Sequence, residues 1–160
     1  MVPAIKPTVQ LFKVSQHLFR RALKDLEPEA LKRHPAESNP MIWLAGHVTH
    51  ARIGLSKITG GERELLWREL FGRHSHFSDE GDYPELSEIQ KVFAEVTDEL
   101  AERFGSLTEE ELAKPSGYDA PIEDKSIAGT ITFFAYHESY HIGQMAYVRK
   151  WLGRGGIIDG

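Results

Sequence analysis

Phe133-Phe134-Ala135-Tyr136-His137-Glu138-Ser139-Tyr140-His141-Ile142-Gly143-Gln144-Met145 is the stretch on which both the fold and the chemistry turn. It lies in a helical pattern near the C-terminus. His137 and His141 are four residues apart, so on a helix they share one face, one turn apart. That face is otherwise apolar: Ile127, Ile131 and Phe134 precede the pair, and Met145 and Val148 follow it. A buried neutral imidazole must satisfy one donor and one acceptor. Two separately hydrogen-bonded core histidines would do so, but a metal ion takes up both acceptors at once. The spacing points to the metal.

Composition sets the frame. A chain of 160 residues is expected to form one domain, 1–160, with a substantial core. A net charge of −5 with mixed signs argues against a nucleic-acid or anionic-membrane surface. Without an apolar run of spanning length or a signal-like N-terminus, the expectation is a cytoplasmic protein. There is no cysteine, which excludes disulfides, a thiolate nucleophile and Cys-based zinc sites. Any metal must be held by His, Asp or Glu, and eight His are available.

Working outward from the paired histidines, Ser126 or a neighbour starts their helix and Leu152-Gly153 ends it. The tail 154–160 carries no helical signal. Upstream, Thr8 to Leu26 reads as a helix with Leu11, Val14, Leu18, Ala22 and Leu26 inward, and Phe12, Phe19 and Leu23 widening the stripe. Asn39 as N-cap and Pro40 at the first helical position open a second helix. It runs to about Thr59 and stops at Gly60-Gly61, with Trp43, Leu44, His47, Ala51, Gly54, Leu55 and Ile58 on its apolar stripe. Residues 62–84 form a long connection with a short amphipathic piece over Leu65 to Phe71, and a connection of this length often covers a site. His74 and His76 alternate within it and read as solvated, with metal binding as the lesser alternative. A capping box of Ser87 with Gln90 starts a third helix, with Ile89, Phe93, Val96, Leu100 and Phe104 inward and Gly105 as its stop. Thr108 to Glu111 is a second box, opening one short turn, and 114–125 is a loop. The pattern predicts an all-α, four-helix bundle with two long connections.

Bundles build metal sites from facing helices. His47 is the one other histidine placed mid-helix on a strong apolar stripe. The second helix carries Gly46 and Gly54, the last Gly129 and Gly143. An interior Gly costs about 0.5–1 kcal/mol relative to Ala, and close approach of these two helices is the simplest reason for them. Three His with an open position is a catalytic-type set that suits Zn or Ni.

Taken literally, His137-Glu138-Ser139-Tyr140-His141 is H-E-x-x-H, the zinc-protease helix. The metzincin extension would need Gly at 144 and His at 147, where this chain has Gln144 and Tyr147. No Glu follows His141, and Asp159 is the sole acid there. A peptidase is not expected. Glu138, rotated about 100° from His137, is a candidate base toward a metal-bound water, or else a supporting or solvated carboxylate.

Asn39-Pro40-Met41-Ile42-Trp43-Leu44-Ala45-Gly46-His47-Val48 resembles the second-helix motif of the DinB/YfiT-like superfamily. His137 to Gln144 resembles its fourth-helix motif, H-x-x-x-H-x-G-Q. The resemblance implies that His47, His137 and His141 form a metal triad with Gln144 close by. It also implies metal-assisted chemistry on a low-molecular-weight thiol such as bacillithiol, mycothiol or glutathione; one relative is a mycothiol-dependent maleylpyruvate isomerase. The expected activity is thiol S-transfer onto a small molecule, with Trp43 and Tyr140 as walls of the cofactor site. A non-catalytic stress-response protein with a structural metal is the alternative. A homodimer is the expected assembly.

Overall fold

The computed structural model describes residues 1–158, so Asp159 lies outside the described residues. Four long helices make the frame: α1 (Lys6–Leu23), α2 (Met41–Ile58), α4 (Leu86–Ser106) and α6 (Ile127–Trp151). Two short ones, α3 (Arg68–Phe71) and α5 (Glu109–Ala113), lie in the connections, and 3-10 turns cover Pro3–Ile5 and Pro28–Ala30. Among the described residues there is no strand, only one isolated bridge between Pro115 and Ser126. The all-α expectation holds. α2 packs against both α4 and α6, and α1 against α6.

Helix ends follow from local chemistry. The Ser126 hydroxyl accepts the Gly129 N–H at 3.1 Å and opens α6; Gly153, at φ +77°, closes it. Thr108 and Glu111 form the expected reciprocal box at α5. At α2 the chain starts one residue later than expected. Pro40, not Asn39, is the N-cap, and its extended backbone (ψ 164°) aims its carbonyl at the Leu44 N–H. At α4 the Ser87–Gln90 box does not form. Glu85 is the N-cap and its carbonyl accepts from Glu88 and Ile89, so Ser87 is already inside the helix. Gly105 does not stop α4 either: the Leu107 N–H still bonds the Arg103 carbonyl, and buried Leu107 draws the last turn inward.

The inward face of α1 is rotated from the expected one. Val9, Phe12, Ser15, Phe19, Ala22 and Leu23 are buried, while Leu11 and Val14 are 49% and 55% exposed. The aromatics set the rotation: Phe19 stacks on Phe93 with centroids 3.8 Å apart, and Phe12 meets Phe104 at 5.5 Å. The helix also ends three residues early, where Lys24 turns extended and Asp25 adopts φ 57°.

The core has two apolar clusters. One gathers Phe19, Trp43, Leu44, Phe71, Phe93, Met145 and Val148; the other gathers Val9, Phe12, Ile53, Val96, Phe104 and Ile131. The tail joins the first through buried Ile157, and the Ile158 carbonyl accepts from Arg21. Sequence periodicity had no signal for this docking, because the tail is not helical. α6 leaves Tyr136, Tyr140, Tyr147 and Trp151 exposed. No helix among the described residues is long and apolar enough to cross a membrane.

Candidate metal centre

α2 and α6 bring three imidazoles together. His137 Nε2 lies 3.2 Å from His47 Nε2 and 3.2 Å from His141 Nε2. Among the described residues these three form the one cluster of potential ligating atoms, all within 4.8 Å of each other.

The outer nitrogens decide the tautomers. His47 Nδ1 sits 2.7 Å from the Phe71 carbonyl, which can only accept, so Nδ1 carries the hydrogen and Nε2 keeps its lone pair. His141 Nδ1 donates in the same way to Gln144 Oε1 at 2.7 Å. His137 Nδ1 is buried with no partner. Two inward lone pairs are thus fixed. A neutral His137 has one ring hydrogen: on Nε2 it can meet only one of the two lone pairs, and on Nδ1 it meets neither.

A cation would take up the three inward lone pairs, with the hydrogen of His137 then on its unpartnered Nδ1. Nitrogens 3.2 Å apart are close enough for one ion to be held by both at the usual zinc–imidazole distance of about 2.0–2.1 Å. His47 and His141 have their far nitrogens held by a carbonyl and an amide oxygen, which is how proteins orient metal-binding imidazoles. The residues present fit a divalent ion.

Electrostatics agree. Burial pushes the His137 imidazolium down to about 4, with the His47 charge adding to the effect. Burial also takes His141 down to about 3, helped by His47 and His137 and opposed by Gln144. His47 is lowered by burial, against the bond to Phe71. Neutral imidazole is the form that binds metal.

The second layer comes from the connection between α2 and α4. The Phe71 ring lies over Gly46, where a Cβ would meet ring carbons at 2.2–2.4 Å. Gly46 therefore admits Phe71, and the Phe71 carbonyl then reaches His47. This corrects the expected role of the glycines as a seam between α2 and α6. Cβ atoms at Gly54 and Gly143 would meet nothing within 4 Å, and one at Gly129 would meet Asp124 of the preceding loop. His50, one turn beyond His47, is held in parallel: its Nδ1 lies 2.7 Å from the Leu66 carbonyl. Between the two carbonyls Trp67 sits in the left-handed region at φ 58°, a conformation costing about 1–2 kcal/mol for a bulky residue.

Trp43 is buried and stacks on His47, centroids 4.7 Å apart and planes 9° from parallel. Tyr140 is exposed, meets His141 edge-on at 5.1 Å, and its hydroxyl accepts from Gln144 Nε2 at 3.3 Å. His74 and His76 are exposed. Two cavities, about 360 and 290 Å³, lie away from the cluster, the first lined by Ser56, Arg63 and Glu99 and the second by Val2 and Leu112.

Glu138 faces another partner. Arg52 grips it with Nε to Oε2 and Nη2 to Oε1, both 2.7 Å, and both side chains are under 5% exposed. Its two oxygens are occupied by the guanidinium. Arg52 on the buried face of α2 and Glu138, the lone anion of α6, carry a sequence signal in their opposite charges that could have paired them.

A helical frame and three convergent neutral imidazoles define the class: an all-α protein with a candidate three-histidine cation site. Within that class, the chain belongs to the DinB superfamily, whose pattern it matches over residues 11–145, a span that takes in all three histidines. No curated protein matches it.

Proposed function

We propose that His47, His137 and His141 bind one divalent ion, zinc or nickel, and that the protein is a metal-dependent transferase acting with a low-molecular-weight thiol. The observation that carries this reading is the convergence of three Nε2 atoms, two of them fixed as acceptors by bonds on the opposite nitrogen. Among the described residues no fourth His, Asp or Glu joins the cluster. A three-ligand set leaves a position for water or substrate, as in catalytic sites.

A bound ion would supply Lewis acidity, holding a thiol as its thiolate near neutral pH. The chain has no cysteine of its own, so the nucleophile arrives with the cosubstrate. In the transfer the thiol proton goes to solvent, a sulfur–carbon bond forms on the electrophile, and its leaving group departs with the electron pair. Trp43 backs His47, Gln144 orients His141, and Tyr140 borders the site beside His141. Glu138 is not assigned the base. A reducing cytoplasm is the compartment where such thiols stay reduced.

The test is Co(II) substitution, then titration with glutathione, bacillithiol and mycothiol, and assay of each against a chloro-dinitroarene and monochlorobimane. Thiolate-to-metal charge transfer with turnover is expected. A Co(II) spectrum indifferent to every thiol, with no turnover above the metal-free protein, would leave a non-catalytic structural metal instead.

We also propose that the protein works as a homodimer. Tyr136, Tyr140, Gly143 and Tyr147 are exposed at spacings of four, three and four along α6, the rhythm of a helix–helix seam. Open space at Gly143 leaves room for a second copy. Light scattering should give twice the chain mass of 18.1 kDa; the single-chain mass at micromolar concentration would sink the dimer.

A further inference from the structure

The Arg52 guanidinium touches every long helix. From α2 it donates to Glu138 on α6, to the Thr97 hydroxyl on α4, and to the Phe12 carbonyl on α1 at 3.0 Å. Thr97 passes its own hydrogen to the Phe93 carbonyl at 2.6 Å. The Phe93 and Phe12 rings flank the guanidinium, with centroids 4.2 and 5.7 Å from its carbon. Both charges are almost wholly buried. A fork gripping a carboxylate through two parallel bonds fixes direction as well as distance.

That direction matters because Glu138 adjoins His137 and lies three residues before His141. Successive residues on a helix are rotated by about 100°. With Glu138 turned onto Arg52, the rotation of α6 is set, and His137 and His141 fall on the edge facing His47. Arg52 stands five residues after His47 on α2, so one helix carries both the pin and the ligand that the pinned helix must meet.

We infer that the Arg52–Glu138 pair is a positioning device for the metal centre, which fixes the rotation of α6 against α2 so that three Nε2 atoms share one point. This rests on the proposed reading of the three histidines as a metal site. A buried pair replaced by apolar side chains of similar volume commonly keeps or gains stability, so stability and aim can be separated.

The experiment compares the full-length protein with the double variant Arg52→Met/Glu138→Leu. Co(II) affinity and the visible Co(II) spectrum are read beside the thermal midpoint of the metal-free protein. The double variant should melt close to the parent, bind Co(II) about 10–100-fold more weakly, and show broadened bands. Parental affinity and spectrum in a folded double variant would overturn the inference. If the unsubstituted protein fails to bind Co(II), the metal reading itself falls, which is a separate result. Should the double variant fail to fold, Thr97→Val, which loosens the guanidinium, is compared with Leu112→Ala, a core truncation on α5. Thr97→Val must weaken Co(II) binding several-fold while Leu112→Ala does not. Equal affinities in these two also refute the positioning role.

Discussion

Two polar clusters sit within the same bundle, and their accounts balance differently. Around Arg52 the charges cancel: the cation meets the anion, and two further N–H groups find a hydroxyl and a carbonyl. Around His137 they do not. Three bases converge, two with lone pairs aimed inward and one with a buried nitrogen lacking any partner. A folded interior rarely leaves polar groups unpaired without a reason. The satisfied cluster is complete as protein, whereas the unsatisfied one has the capacity for a cation.

The largest loss of stability is expected at the satisfied cluster. Arg52→Ala or Glu138→Ala leaves its partner charged, buried and alone, which costs about 3–5 kcal/mol. Urea unfolding of the metal-free protein should show that loss. His137→Ala removes a neutral ring, one of whose nitrogens has no partner, and leaves no buried charge behind, so it should cost clearly less. Equal losses would mean the two clusters do not differ as described.

Metal adds to what the histidine cluster contributes. An ion at 1,000 times its Kd stabilises the fold by about 4 kcal/mol. His47→Ala should abolish that increment, and His74→Ala and His76→Ala should keep it. Acid acts on the same cluster. The folded-state values of His137 (about 4) and His141 (about 3) lie below the ordinary 6.5. Between those limits the unfolded chain binds more protons than the folded one, so stability rises with pH. The contribution is complete above about 6.5 and lost as pH falls from there toward 4 and then 3. Denaturation midpoints of the metal-free protein at pH 7.5, 6 and 5 should fall in that order. A profile unchanged from the parent in His137→Ala/His141→Ala would show that other groups cause the slope.

Much of this contrast was legible in the sequence, and the illegible part has a physical pattern. The histidines could be found because i,i+4 spacing and an apolar stripe are properties of one helix. The capping of α5 and α6 was legible for the same reason. The rotation of α1 was not, since Phe19 and Phe12 chose it by packing on aromatic rings of α4. Nor was Arg52, whose partners lie on three other helices. The glycines show the limit best. Gly46 did mark a close approach beside His47, but the approaching group was Phe71 from an irregular connection, which periodicity does not describe.

That connection supplies the next test. Gly46→Ala would drive a methyl into the Phe71 ring and shift the carbonyl that holds His47. Overpacking should cost about 1–3 kcal/mol, and Zn(II) affinity should fall as well. Gly54→Ala, with nothing within 4 Å, is the matched control and should gain helix propensity instead. If both variants bind zinc like the parent, Phe71 is not orienting His47.

The smallest change is at Gln144. Its side chain bonds His141 Nδ1 with Oε1 and the Tyr140 hydroxyl with Nε2, and it is partly open to solvent. Gln144→Leu keeps the volume and the helix, so metal-free stability should shift by about 0.5 kcal/mol or less, as for most surface substitutions. Water can replace the lost acceptor, but a mobile one lets the imidazole swing and exchange tautomers. Loss of such a bond typically costs a metal site at least about tenfold in affinity, equal to about 1.4 kcal/mol. Competition against a fluorescent zinc chelator resolves that difference. Gln144→Glu sharpens the case, because a carboxylate accepts the same hydrogen more strongly and adds negative charge, so it should bind zinc at least as tightly as the parent. Weak binding by both variants would mean that the amide's contact with Tyr140, and not its bond to His141, is what the site requires.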